Sequence, residues 1–311
     1  MGEPPRNCLQ LTGSGPLDEG DQARVADLLA SDGWVVCRGL DVGAGGTASL
    51  AGLVTQLAGA PLDYRERSSP RTDLGHGVFT STEYPASEEI HLHNENSYQT
   101  DWPMRLFFQC LQPAEEGGAT PLADTREVLR QIDPSVRDEF RRRGWRVVRN
   151  YHDGFGLSWR DSLGIFDASD LDAFAAAHRL SYDWHGAVLR TSANRAAIHR
   201  HPVTGDEVWF NHAVVFHIAA HRPDVRAGLA ELFPTDDLPT HTYFGDGAAI
   251  PDDVIEHLKD CYAAARFRFD YLSGDVLIID NMLVAHGREP YRGDRRVMVS
   301  MAAPYSEVAG A

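Results

Sequence analysis

The sequence predicts a mainly β protein, a barrel or jelly roll with helices packed outside it. Many short apolar runs have strand length, among them 106–111, 276–279 and 297–301. The breaks between them are rich in Gly and Asp, as at Pro113-Ala114-Glu115-Glu116-Gly117-Gly118. No internal repeat, low-complexity tract or linker divides the 311 residues, so residues 1–311 read as a single domain.

In chain order, a Gly- and Pro-rich start gives way to a helix over 21–30, with Val25, Leu28 and Leu29 on one face and Gly33 past its end. Residues 34–38 read as a short strand, and Thr47 as the cap of a second helix bearing Leu50, Leu53, Val54 and Leu57. Residues 60–90 show little periodicity. They read either as a lid or binding loop, in which Arg65, Arg67 and Arg71 stand out, or as a solvated connection. The strand at 106–111 is followed by another at 119–122. Asp124-x-x-Glu127 then opens a helix as a capping box. A helix from Pro134 closes on Arg141-Arg142-Arg143-Gly144, where cations and Gly suit a helix C-terminus. Strands alternate with short helices from 145 to 250, most apolar at 208–211 and 214–217. A helix over 251–265 and strands at 266–271, 276–279 and 297–301 complete the chain.

Composition is that of a soluble globular protein, 43% hydrophobic and 24% charged. The formal net charge of -16 argues against nucleic acid and against anionic membrane surfaces as partners. Cys8, Cys37, Cys110 and Cys261 are far apart and form no C-x-x-C pair, so reduced cytosolic thiols are expected. No apolar stretch approaches the roughly 18 residues that span a bilayer. A soluble, cytoplasmic protein is expected.

The stretch with chemistry in it is His91-Leu92-His93-Asn94-Glu95-Asn96-Ser97-Tyr98. On a strand, His91, His93 and Glu95 share one face. An imidazole beside a carboxylate supplies two thirds of the facial triad of a non-haem Fe(II) oxygenase, and His286, just beyond the apolar run ending in Asp280-Asn281, is a distant candidate for the third ligand. His91 rivals His93 on this face; the His-x-carboxylate spacing favours His93.

Taken together, His93-Asn94-Glu95-Asn96-Ser97-Tyr98, Gly117-Gly118-Ala119-Thr120-Pro121-Leu122-Ala123-Asp124, Gly274-Asp275 through Asp280-Asn281, His286-Gly287-Arg288 and Tyr291-Arg292-Gly293-Asp294-Arg295-Arg296 resemble the taurine dioxygenase family of Fe(II)/2-oxoglutarate enzymes. The resemblance spans about 20–305 and is nearest to the branch similar to the syringomycin-pathway aspartyl hydroxylase. It implies a double-stranded β-helix of the clavaminate synthase-like kind, binding Fe(II) and 2-oxoglutarate and consuming O2. It implies His93, Glu95 and His286 as iron ligands. It also implies Thr120 and either Arg295 or Arg296 as partners of the cosubstrate's far carboxylate, a role for which Arg suits better than Lys. Arg295 is favoured, because Val297, Val299 and Met301 continue an apolar inward face. The second arginine that stricter family members carry four residues on is Val299 or Ser300 here. Family members that halogenate lack the carboxylate ligand, so Glu95 points to hydroxylation.

The implied substrate is an amino acid or amino-acid-derived small molecule of specialised metabolism, free or tethered to a carrier protein. Arg65, Arg67, Arg71, Asn96 and Tyr98 are its candidate contacts. Desaturation or cyclisation would use the same oxidant. A zinc-type hydrolase would accept the same ligands but leave Thr120 and the Arg295 region without a role. A metal-free binding barrel sits badly with three intact ligands.

Overall fold

The apolar run at 106–111 lies within a longer strand, Asp101–Gln112, at the centre of the molecule. In the computed structural model, which describes residues 5–13, 16–40, 46–62 and 71–307, this strand pairs antiparallel with Val276–Asp280 on one side and Arg296–Ser306 on the other. The complete seven-stranded sheet runs Cys8–Gly13, Trp34–Leu40, Val276–Asp280, Asp101–Gln112, Arg296–Ser306, Val78–Thr80, Asp73–Gly75.

Pleat alternation divides this sheet into two apolar faces. Leu106, Phe108, Cys110, Val297, Val299 and Met301 point into the inner core. Phe107, Met298 and Ala302 point the other way, against Leu29, Leu50 and Val54 of the helices Glu19–Ser31 and Gly46–Ala58. A second sheet, ordered Arg266–Phe267, Leu122–Asp124, Val284–Arg288, Ile90–His93, covers the inner core with Leu122 and Val284. Two facing sheets with helices outside make this a double-stranded β-helix. The inner layer is buried, and truncating a fully buried side chain such as Leu106 to Ala would cost about 2–5 kcal/mol.

A third sheet, ordered Ser181–His185, Val188–Arg195, Trp145–Tyr151, Thr240–Phe244, stands beside the barrel. Trp145, Phe140 and Trp209 fill the space between it and the helices Thr125–Gln131, Pro134–Arg143 and Asp252–Ala265.

Several local expectations shift in the structure. The first helix begins earlier, because the Asp18 carboxylate accepts the Asp21 N–H as its cap. The second begins at Gly46, so Thr47 lies in its first turn rather than at its cap. Residues 73–80, expected to be irregular, form a short hairpin on the edge of the large sheet. The strand expected at 119–122 is found at Leu122–Asp124. Asp124 does cap the next helix through the Arg126 N–H, but Glu127 turns to Arg130 and Gln131 instead of closing a capping box. The apolar stretch 214–217 lies in a turn, with Phe216 N–H donating to the His212 carbonyl.

Candidate active site

His93 ends the strand Ile90–His93, and its register partner across the antiparallel pair is His286 on Val284–Arg288. Directly opposed strand residues bring their side chains together. Here the imidazole centroids lie 4.4 Å apart.

Glu95 reaches the same place by another route. The strand stops at His93, Ser97 N–H donates to the Asn94 carbonyl, and Asn96 sits in the left-handed region at φ 57°. Asn tolerates that region better than most side chains. The strand face expected to hold His91, His93 and Glu95 together is therefore not formed. A turn swings the carboxylate round instead. One ligand atom from each of His93, Glu95 and His286 falls within 4.8 Å of the others, and Glu95 Oε2 is 3.9 Å from His286 Nε2.

The protonation pattern suits a cation. His93 Nδ1 is 2.8 Å from the His91 carbonyl, which can only accept, so Nδ1 carries the proton and Nε2 the lone pair. It is the backbone of His91 that serves His93. Burial lowers the pKa of His93, opposed by Glu95, and holds His286 well below the ordinary histidine value, with His93 and Arg71 adding to the effect. Two neutral imidazoles are the metal-binding form. Glu95 Oε2 accepts from Arg71 Nη2 at 2.7 Å, and both side chains are buried. Two neutral nitrogens and a carboxylate converging from a paired strand and a turn fit Fe(II), with room left for further ligands.

A small cavity opens beside the two histidines, lined among others by Arg71, Phe108, Thr120, Arg288 and Arg295. Thr120 is buried and its Oγ1 accepts from Tyr271 Oη at 3.1 Å. Arg295 Nε donates to the Gly118 carbonyl at 2.8 Å. A Cβ at Gly118 would stand 3.0 Å from Arg295 Cδ, so the glycine leaves the arginine its path. Arg296 turns outward, exposed and bonded to Gln112 Oε1.

Of the other expected contacts, Asn96 and Tyr98 are buried, and the Tyr98 ring packs on His212 and Phe216. Arg65 and Arg67 lie outside the described residues. His212 was not anticipated. Its ring is 5.5 Å from that of His93, its Nδ1 is 2.6 Å from Ser97 Oγ, and burial lowers its pKa far below 6.5. The one hint in the sequence is an apolar run, Val208-Trp209-Phe210, ending abruptly in Asn211-His212.

Residues 4–302 match the family described as Taurine catabolism dioxygenase TauD, TfdA family. The chain belongs to the TauD/TfdA dioxygenase family. It is 37% identical over 281 residues to the dapdiamide synthesis protein DdaC of Enterobacter agglomerans, covering 90% of this chain and 85% of DdaC. A clavaminate synthase-like protein of Arabidopsis thaliana is 25% identical over 287 residues, 88% of this chain and 82% of that relative. Among solved structures, PvcB of Pseudomonas aeruginosa aligns with a TM-score of 0.55 and 18% identity over 96% of this chain and 86% of PvcB. An asparagine oxygenase described in complex with Fe(II), 2S,3S-3-hydroxyasparagine and succinate aligns at 0.58 and 14% identity, over 92% of this chain and 79% of that one. Both share the double-stranded β-helix. As a TauD/TfdA dioxygenase, the protein is an Fe(II)/2-oxoglutarate-dependent enzyme acting on a small-molecule substrate, and the hydrolase and metal-free alternatives fall away.

Proposed function

We propose that the enzyme hydroxylates an amino acid or amino-acid-derived molecule in specialised metabolism. In this proposal His93, Glu95 and His286 hold the iron, and Thr120 and Arg295 anchor the far carboxylate of 2-oxoglutarate. The observation that carries it is the convergence of two opposed imidazoles and one carboxylate beside a cavity that Thr120 and Arg295 also line. Fe(II) held by His93, Glu95 and His286, with 2-oxoglutarate and O2, would supply the oxidising power for inserting one oxygen atom into the substrate, with succinate and carbon dioxide as co-products. The chain's own residues bind and orient. With Nε tied to Gly118, Arg295 keeps its two terminal nitrogens for a carboxylate fork. Arg296, bonded to Gln112 at the surface, has no part in it.

Asn96 and Tyr98 are the proposed substrate contacts, and Arg71 meets the substrate from its place beside Glu95. The name of DdaC supports a biosynthetic role. The substrate is read as free or carrier-tethered, and the chain as one cytoplasmic oxygenase domain. Among the described residues no helix is long and apolar enough to cross a membrane, and the four cysteines are free thiols, as in a reducing compartment. Anaerobically reconstituted protein, offered amino acids, their N-acyl derivatives and carrier-loaded forms, should release succinate in step with a hydroxylated product for one of them. Substrate-independent succinate alone from every class would refute the substrate assignment.

A further inference from the structure

Glu95 sits in a turn, where no strand ladder holds its backbone. Both of its main-chain polar groups are instead held by one side chain from elsewhere in the chain. Asn281 Oδ1 accepts the Glu95 N–H at 2.8 Å, and Asn281 Nδ2 donates to the Glu95 carbonyl at 2.9 Å. The same Nδ2 donates to the Pro103 carbonyl at 2.9 Å on the central strand. Asn94 Nδ2 returns a bond to the Asn281 carbonyl at 2.6 Å, and Asn281 N–H donates to Met104 at 3.0 Å. Asn94 and Asn281 are both wholly buried, so none of these bonds competes with water.

We propose that Asn281 is the positioning residue for the Glu95 carboxylate, fixing it against His93 and His286 before any metal arrives. This rests on Glu95 being an iron ligand. Asn281 lies in the turn between Val276–Asp280 and Val284–Arg288, the strand that bears His286. One amide thus ties the turn of one proposed ligand to the strand of another. Few side chains could replace it. Asp lacks both donors, Ser has a single one, and Gln is a methylene longer in a site without slack. Residues that orient metal ligands typically contribute ten- to a hundredfold to metal affinity.

The test is anaerobic titration with Co(II), which reports affinity and, through its visible spectrum, the ligand set. Asn281→Asp keeps the acceptor for the Glu95 N–H and loses both donors; Asn281→Ala loses everything. Both should bind Co(II) about ten- to a hundredfold more weakly with an altered spectrum, Asn281→Ala the more so. Asp275→Asn is the control. Asp275 is buried just before the strand Val276–Asp280, at the end away from Asn281, and is paired with Arg38 at 2.7 Å, with no hydrogen bond to His93, Glu95, His286 or Asn281 among the described residues. It should lower Tm and leave Co(II) binding alone. Wild-type affinity and spectrum in folded Asn281→Asp would overturn the proposal, as would equal weakening in Asp275→Asn. If Asn281→Ala does not fold, the near-isosteric Asn281→Asp decides. Should Glu95→Ala bind Co(II) as the wild type does, the ligand assignment itself fails, a different result from failure of Asn281 alone.

Discussion

His93 and His286 are register partners on adjacent antiparallel strands, with ring centroids 4.4 Å apart and both imidazoles held neutral by burial. A ligand pair mounted on a shared ladder keeps its spacing without metal, so little has to reorganise when a cation arrives. Glu95 comes from a turn and depends on side chains, Arg71 on its carboxylate and Asn281 on its backbone. The two halves of the site should therefore respond differently to mutation.

Arg71→Met removes the buried guanidinium that donates to the Glu95 carboxylate. Breaking a buried ion pair from one side costs about 3–5 kcal/mol. A bound divalent cation restores the missing positive charge, so the loss should shrink on adding Mn(II). Denaturant unfolding of wild type and variant, with and without Mn(II), measures this. An equal loss in both conditions would show that Arg71 does not compensate the carboxylate.

Glu95→Ala makes the converse change, taking away the carboxylate that accepts from the buried Arg71 guanidinium. Chloride should then stabilise the variant, by about 1.4 kcal/mol at tenfold its Kd, and leave the wild type unchanged. A thermal scan in chloride against an impermeant large anion reads the difference. No chloride response would mean that Arg71 finds another partner.

If Arg295 forks the cosubstrate, Arg295→Ala loses a charge-assisted pair worth roughly 1.5–3 kcal/mol, or about ten- to a hundredfold in 2-oxoglutarate affinity. Arg295→Lys should recover only part. Arg296→Ala should change little, since that side chain is exposed and bonded to Gln112. Titration of the anaerobic iron enzyme with 2-oxoglutarate decides. Loss in the Arg296 variant alone would reverse the assignment.

A second histidine pair should add to the acid sensitivity of folding. His217 and His241 are buried with ring centroids 4.4 Å apart, and each Nδ1 accepts a backbone N–H, from Ala219 and Ile218. Burial pushes His217 down to about 3, helped by His241, and His241 down to about 4; Asp252 opposes both shifts. The unfolded chain titrates near 6.5. Between these values it binds more protons than the folded chain. This contribution to stability is thus fully present above about pH 6.5 and lost as pH falls toward 4 and then 3, at up to about 1.4 kcal/mol per pH unit for each histidine. Unfolding free energies at pH 7, 6 and 5 should fall more steeply for the wild type than for the double variant His217→Gln/His241→Gln. Parallel slopes would refute the assignment.

The barrel was legible because its strands are written in period two. Val297, Val299 and Met301 predicted the inward face, and that face separates Arg295 from Arg296. The helix ending at Arg143 and Gly144 was equally plain, since Pro134 begins it and Gly144 caps it at φ 63°. What stayed hidden depends on contacts between distant residues. Glu95 looked like a strand residue, because nothing local announces that Asn281 will capture its backbone. The bond from Arg71 to Glu95 was not legible either, because the two residues are 24 positions apart and meet only in the fold. His212 drew no notice in the sequence, yet the fold sets it against His93.

The most direct measurement is anaerobic Fe(II) binding followed by the charge-transfer absorbance that 2-oxoglutarate produces on the iron, in the wild type and in His93→Ala, Glu95→Ala and His286→Ala. The wild type should take one iron per chain and develop the band. Each folded variant should bind iron weakly and lose the band together with oxygen-dependent succinate formation. Full iron binding, an unchanged band and undiminished turnover in any one of the three would contradict the metal centre assigned to His93, Glu95 and His286.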